Sequence, residues 1–114
     1  MDGLSGRIEQ DGGPRNMFYH IVMMTFTPEA DGRFLDRVEH YRQRVLAECP
    51  GALAYALVRN VASRSDGLTH ALVGTFASSQ AHDDYQVSAA HVEMRAYMTP
   101  FIARIVVLDA EVPA

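Results

Sequence analysis

Apolar positions along the chain follow two periods in turn. Residues 18–26 (FYHIVMMTF) divide into the faces Phe18/His20/Val22/Met24/Phe26 and Tyr19/Ile21/Met23/Thr25. Both faces are largely apolar, which predicts a strand covered on both sides. Thr27-Pro28-Glu29 then supplies a helix start, since proline is tolerated in a first turn. Phe34, Leu35, Val38, Tyr41, Val45 and Leu46 recur at helical spacing, with charged residues elsewhere on the wheel, until Cys49-Pro50-Gly51 stops the helix. Residues 52–61 alternate Leu53/Tyr55/Leu57/Arg59 against small side chains and form a second strand. A turn over 62–68 leads into a third strand over 69–76. Ser78 or Ser79 caps a short helix reaching about Gln86. Another helix starts near Ala89, with Met94, Tyr97, Met98 and Phe101 at i, i+3, i+4 and i+7. Residues 104–112 (RIVVLDAEV) form the last strand.

The order is β-α-β-β-α-β with the second helical region broken in two. It predicts an α+β, ferredoxin-like fold with a four-stranded antiparallel sheet. Helices on one face leave the other face apolar and open. A second copy of the chain is the simplest cover, so the pattern predicts a homodimer closing into an α+β barrel. Residues 1–16 hold four glycines and few large apolar side chains. Too little apolar surface is present to offset an ordering cost of about 1–2 kcal/mol per residue. They read as a disordered leader, and residues 17–114 as the domain.

Composition narrows the function. The 114 residues carry 10 Arg and no Lys against 14 Asp and Glu, for a net charge of −4. Such a balance, without a basic block, argues against nucleic acid or an anionic membrane as partner. The lone Cys49 excludes an internal disulfide and a cysteine-rich zinc site. No apolar run is long enough to span a bilayer, and the first residues lack a signal peptide's basic and apolar regions, so a cytoplasmic location is expected. His82-Asp83-Asp84 looks like a metal-ligand run. Neighbouring helix residues point about 100° apart, however, and the run reads as a solvated face. No metal and no cofactor are expected.

Several short segments carry a family likeness. They are Tyr19-His20-Ile21-Val22, Pro50-Gly51, Arg59-Asn60, Thr69-His70-Ala71-Leu72-Val73, the stretch from Tyr85 to His91, and Ile105-Val106-Val107-Leu108-Asp109. In this order they resemble the stress-responsive dimeric A/B barrel (Dabb) domain, and more distantly the polyketide cyclases of the olivetolic acid cyclase type. The resemblance implies a ferredoxin-like subunit that pairs sheet to sheet with a second subunit. It also implies a catalytic pair at Tyr85 and His91, with His20 and His70 binding the substrate, a small apolar or aromatic compound.

The chemistry is coherent. Ring closure by aldol chemistry needs a base for an acidic C–H and a donor for the developing oxyanion, roles suited to imidazole and phenol. On one continuous helix, six residues turn about 600°, so Tyr85 and His91 face apart. They converge only if the helix breaks between them, and Ser88 is the residue able to cap a new start. Each residue also has a purely structural reading: Tyr85 as a core aromatic, His91 at a helix start, His20 and His70 bonded to their own sheet. Three functions therefore stand open. One is a cofactor-independent cyclase or isomerase, the second a non-catalytic stress-response or interaction protein. The third is a cofactor-free monooxygenase, disfavoured by the absence of tryptophan.

Overall fold

The computed structural model describes residues 16–113. Apart from Asn16, the expected leader lies outside the described residues. Asn16 opens the first strand, paired with Pro113. The elements are β1 (Asn16–Phe26), α1 (Gly32–Glu48), β2 (Ala52–Arg59), β3 (His70–Phe76), α2 (Ser79–Gln86), α3 (Ala89–Met98) and β4 (Ile102–Pro113). A 3₁₀ turn, Thr99–Phe101, joins α3 to β4. The four strands form an antiparallel sheet in the order β2-β3-β1-β4, and the fold is ferredoxin-like.

Register decides which side chains meet. Opposed residues of an antiparallel pair lie on the same face. His20 stands between Gly74 and Asp109, Val22 between Leu72 and Val107, and Met24 between His70 and Ile105. This near face receives the helices. Phe34, Val38, Tyr41 and Val45 of α1 pack there with Met94 and Met98 of α3. Gly74 makes room for the core rings. A Cβ at that position would meet Phe76 at 2.9 Å and Tyr55 at 3.1 Å.

Two local expectations are corrected. The first helix starts at Gly32, not at Pro28. Thr27 to Ala30 instead form a turn closed by the Ala30 N–H donating to the Thr27 carbonyl at 3.0 Å. Asp31 provides the cap, its carboxylate accepting from the Phe34 N–H at 3.0 Å, which is a better start than proline alone. Leu53 does not share the face of Tyr55. A register shift between Ala52 and Ala54 makes it the extra residue of a bulge, and it is 55% exposed.

Cover on the sheet is uneven. Among the described residues no helix packs extensively on β4, so the near-face side chains Ile105 and Val107 stay about half exposed. On the far face, Ile21 lies between Val73 and Leu108, and Met23 between Ala71 and Val106. Val58, Val106 and Leu108 are exposed there, so this side of the sheet is apolar and uncovered among the described residues. Among the described residues no helix is long and apolar enough to cross a membrane.

Candidate active site

The helical region after β3 breaks where its sequence allows. α2 ends at Gln86, Val87 leaves the helical path, and Ser88 is extended at φ −68° and ψ 151°. The Ser88 hydroxyl donates to the Tyr85 carbonyl at 2.7 Å and accepts from the His91 N–H at 3.2 Å. One side chain thus satisfies a leftover acceptor of α2 and a free donor of α3. The break turns the second helix so that the rings of Tyr85 and His91 meet, their centroids 4.4 Å apart.

Two imidazoles at this site have their tautomers set by their partners. His91 Nδ1 lies 3.0 Å from the Gln86 carbonyl, which only accepts, so Nδ1 carries the hydrogen and Nε2 keeps the lone pair. His20 Nδ1 lies 2.5 Å from Asp109 Oδ1 on the neighbouring strand, so its Nδ1–H is directed at a carboxylate in the same way. His20 is buried and its ring packs edge-on to Tyr85, at 5.7 Å. Burial lowers the pKa of His91, and the bond to Gln86 opposes that only in part, so the ring is neutral at pH 7. Burial raises the pKa of Tyr85, which keeps its phenol protonated.

Behind Tyr85 stands a residue that sequence reasoning did not single out. The hydroxyls of Tyr55 and Tyr85 are 2.7 Å apart, with the Tyr55 hydroxyl also 3.8 Å from Met94 Sδ. Either phenol can donate to the other. If Tyr55 donates, the Tyr85 hydrogen is free for a third group; if Tyr85 donates, Tyr55 can turn its hydrogen to the sulfur. A strong acceptor near Tyr85 would favour the first arrangement.

Tyr85, with His20 and His91 but not Tyr55, borders a pocket of about 300 Å³. His20, Tyr85, His91 and Asp109 form its polar end, while Val22, Met24, Met94, Met98, Ile105 and Val107 supply apolar walls. Arg95 also reaches its lining. Three of the four expected site residues therefore share one cavity. His70 does not line it. It sits farther along the near face, level with Met24, where Thr69 Oγ1 lies 2.8 Å from its Nδ1 and Phe26 packs on its ring. Partial burial lowers its pKa.

His82 departs from its expected place. Asp83 and Asp84 are exposed, as a solvated face requires, but His82 is only 3% exposed. It stands one turn before Tyr85 and so shares that residue's inward side. Phe18 stacks on it at 4.6 Å, and the His20 ring lies 4.5 Å away. Among the described residues its Nε2 has no hydrogen-bond partner. Among the described residues, ligand-type atoms of His20, His82 and Asp109 all fall within 4.8 Å of one another. The i, i+3 spacing of His82 and Tyr85 was the available signal for His82. For Asp109, it was the inward alternation Ile105, Val107, Asp109.

The sequence profile of the Stress responsive A/B Barrel Domain matches residues 18–112. No curated protein sequence matches the chain. Among solved structures, the chain is similar to a hydroxynitrile lyase from Passiflora edulis, with TM-score 0.76 and 21% identity over 87% of this chain and 95% of that one. It is similar to a Dabb family protein with a ferredoxin-like fold from Mesorhizobium loti, with TM-score 0.69 and 18% identity over 83% and 95% of the two chains. A dimeric ferredoxin-like protein of unknown function from Thermobifida fusca gives TM-score 0.71 and 16% identity, over 91% and 98%. At these identities the likeness is one of fold.

Proposed function

The chain belongs to the stress-responsive A/B barrel domain family, and on that premise we propose that it is an acid–base enzyme for a small apolar or aromatic compound. The reaction we assign is removal of a proton from a C–H beside a carbonyl, or from a hydroxyl, followed by carbon–carbon bond making, breaking or isomerisation. The observation that carries this reading is the convergence of Tyr85, His91 and the His20–Asp109 pair at one end of an apolar pocket.

In this reading His91 Nε2 takes the substrate proton. Its Nδ1–H stays on the Gln86 carbonyl, which steadies the imidazolium that forms. The Tyr85 phenol donates to the oxygen where negative charge develops, and Tyr55 backs it by donating in turn. His20, held by the Asp109 carboxylate, orients the substrate's oxygen or returns the proton at the end of the cycle. Apolar walls hold the rest of the molecule and keep water away from the charged intermediate. His70, bonded to Thr69, has no part in this scheme.

The hydroxynitrile lyase among the structural neighbours supports a test substrate. Cleavage of a hydroxynitrile begins with loss of a hydroxyl proton and ends with protonation of the departing cyanide, two transfers that one histidine can perform. We further propose that the working form is a homodimer, with a second copy over the apolar far face, as the dimeric neighbour suggests. The test is turnover of a panel of aromatic hydroxynitriles and enolisable aryl diketones by wild type, Tyr85→Phe and His91→Ala. Loss of turnover in both variants, with folding intact, is expected. Full rates in both would sink the assignment.

A further inference from the structure

We infer that His20, His82 and Asp109 form a binding site for a zinc-class divalent cation in the wall of the pocket. This site is independent of the acid–base reading, although it draws on one of the same histidines.

Three observations converge. The first is the donor set. Two imidazoles and a carboxylate suit zinc and its first-row neighbours, and such three-ligand sites leave a further position for water or substrate. The second is distance. With all three ligand atoms within 4.8 Å of one another, a common centre lies at most about 2.8 Å from each, against bonds of roughly 2.0–2.2 Å. Shifts of under about an ångström form the site: His82 moves in, and His20 and Asp109, 2.5 Å apart, spread slightly as the ion takes the place of the hydrogen between them.

The third observation is the unpartnered Nε2 of His82. A ring this deeply buried ordinarily finds a hydrogen-bond partner for each nitrogen. Its other nitrogen is only 3.5 Å from the Gln86 amide, a weak contact. The three residues come from β1, α2 and β4, elements already fixed by the core, and the rings of Phe18 and Phe76 back His82. Because His20 and Asp109 line the pocket and His82 stands behind them, the open position faces the pocket. A bound ion takes His20 away from proton transfer, so zinc acts on the proposed enzyme as an inhibitor or as a Lewis acid in its own right.

The experiment uses the full chain, stripped with a chelator and titrated with Co²⁺, then with Zn²⁺ as competitor. The expected result is one Co²⁺ per chain with the intense visible bands of four- or five-coordinate cobalt, lost when Zn²⁺ is added. His82→Leu and Asp109→Asn should each weaken binding by about tenfold or more, while His91→Gln, which leaves all three ligands in place, should not. Circular dichroism establishes that the variants fold; if His82→Leu does not, Asp109→Asn and His20→Gln decide. A weak spectrum like that of hydrated cobalt, or affinity unchanged in the folded ligand variants, overturns the site. These readouts are taken without measuring turnover, so the metal site and the acid–base reading stand or fall separately.

Discussion

Replacing Tyr85 with phenylalanine removes one oxygen from a closed pair. The ring stays, so no large cavity opens. What changes is the hydroxyl of Tyr55, itself buried, which loses a partner at 2.7 Å and keeps only the Met94 sulfur at 3.8 Å. A neutral hydrogen bond contributes about 1 kcal/mol net, and a stranded buried hydroxyl costs roughly 1–3 kcal/mol. Tyr85→Phe should therefore destabilise by about 1–2 kcal/mol, and Tyr55→Phe by a similar amount. The double variant removes both polar groups and strands neither. It should cost no more than either single change, giving a coupling of at least about 1 kcal/mol. Urea unfolding of the four proteins, at one fixed concentration because the proposed subunit association would shift the midpoint, measures that coupling. Additive costs, with coupling below about 0.5 kcal/mol, would refute the idea that the phenols act as a bonded unit.

Other consequences are open to measurement. Ser88→Ala removes the hydroxyl that ties Tyr85 to His91; a stability loss of about 1 kcal/mol and slower turnover are expected, and an unaltered rate would show that the break holds without it. Asp109→Asn takes the carboxylate from His20 and should slow turnover about tenfold or more, with the deficit in kcat rather than KM. Burial holds His82 and His91 below the ordinary value of 6.5, so below about that pH the unfolded chain binds more protons than the folded one. Stability should thus be full above about pH 6.5 and decline as the pH falls through the lowered pKa values; urea midpoints across this range check the sign, and His82→Leu should flatten the decline. Leu108→Asp puts a charge into the apolar far face; if the proposed dimer forms there, light scattering should show the variant as a monomer while circular dichroism stays unchanged.

The sequence revealed more of the fold than of the site, for physical reasons. Element order follows from local periodicity, and α1, α3 and all four strands were readable from spacing alone. Ser88 was readable too, because a capping hydroxyl between two helical stretches acts over three residues. The helix start at Gly32 was obscured by Pro28, which suits a first turn as well as the loop it actually occupies. His82 was hidden by the two aspartates beside it, whose solvated character masked its inward partner Tyr85. Asp109 and Tyr55 gain their significance only through tertiary contact. One meets His20 by strand register, the other meets Tyr85 across thirty residues of chain. His70 shows the converse. Its strand and face were anticipated, but of its cross-strand row Met24 and Ile105 line the pocket, while His70, across Met24 on β3, packs against Phe26 instead.

Proton removal at this site can be followed without knowing the natural substrate. An enolisable aryl ketone is held in D₂O with the protein, and NMR records loss of the C–H signal beside the carbonyl. Binding is established separately, by shifts of the His20 and His91 imidazole resonances. A ketone that perturbs both rings should exchange its proton far faster with wild type than in buffer, and at close to the buffer rate with His91→Ala or Tyr85→Phe. A ketone that perturbs both rings yet exchanges at the buffer rate with wild type would contradict the acid–base account.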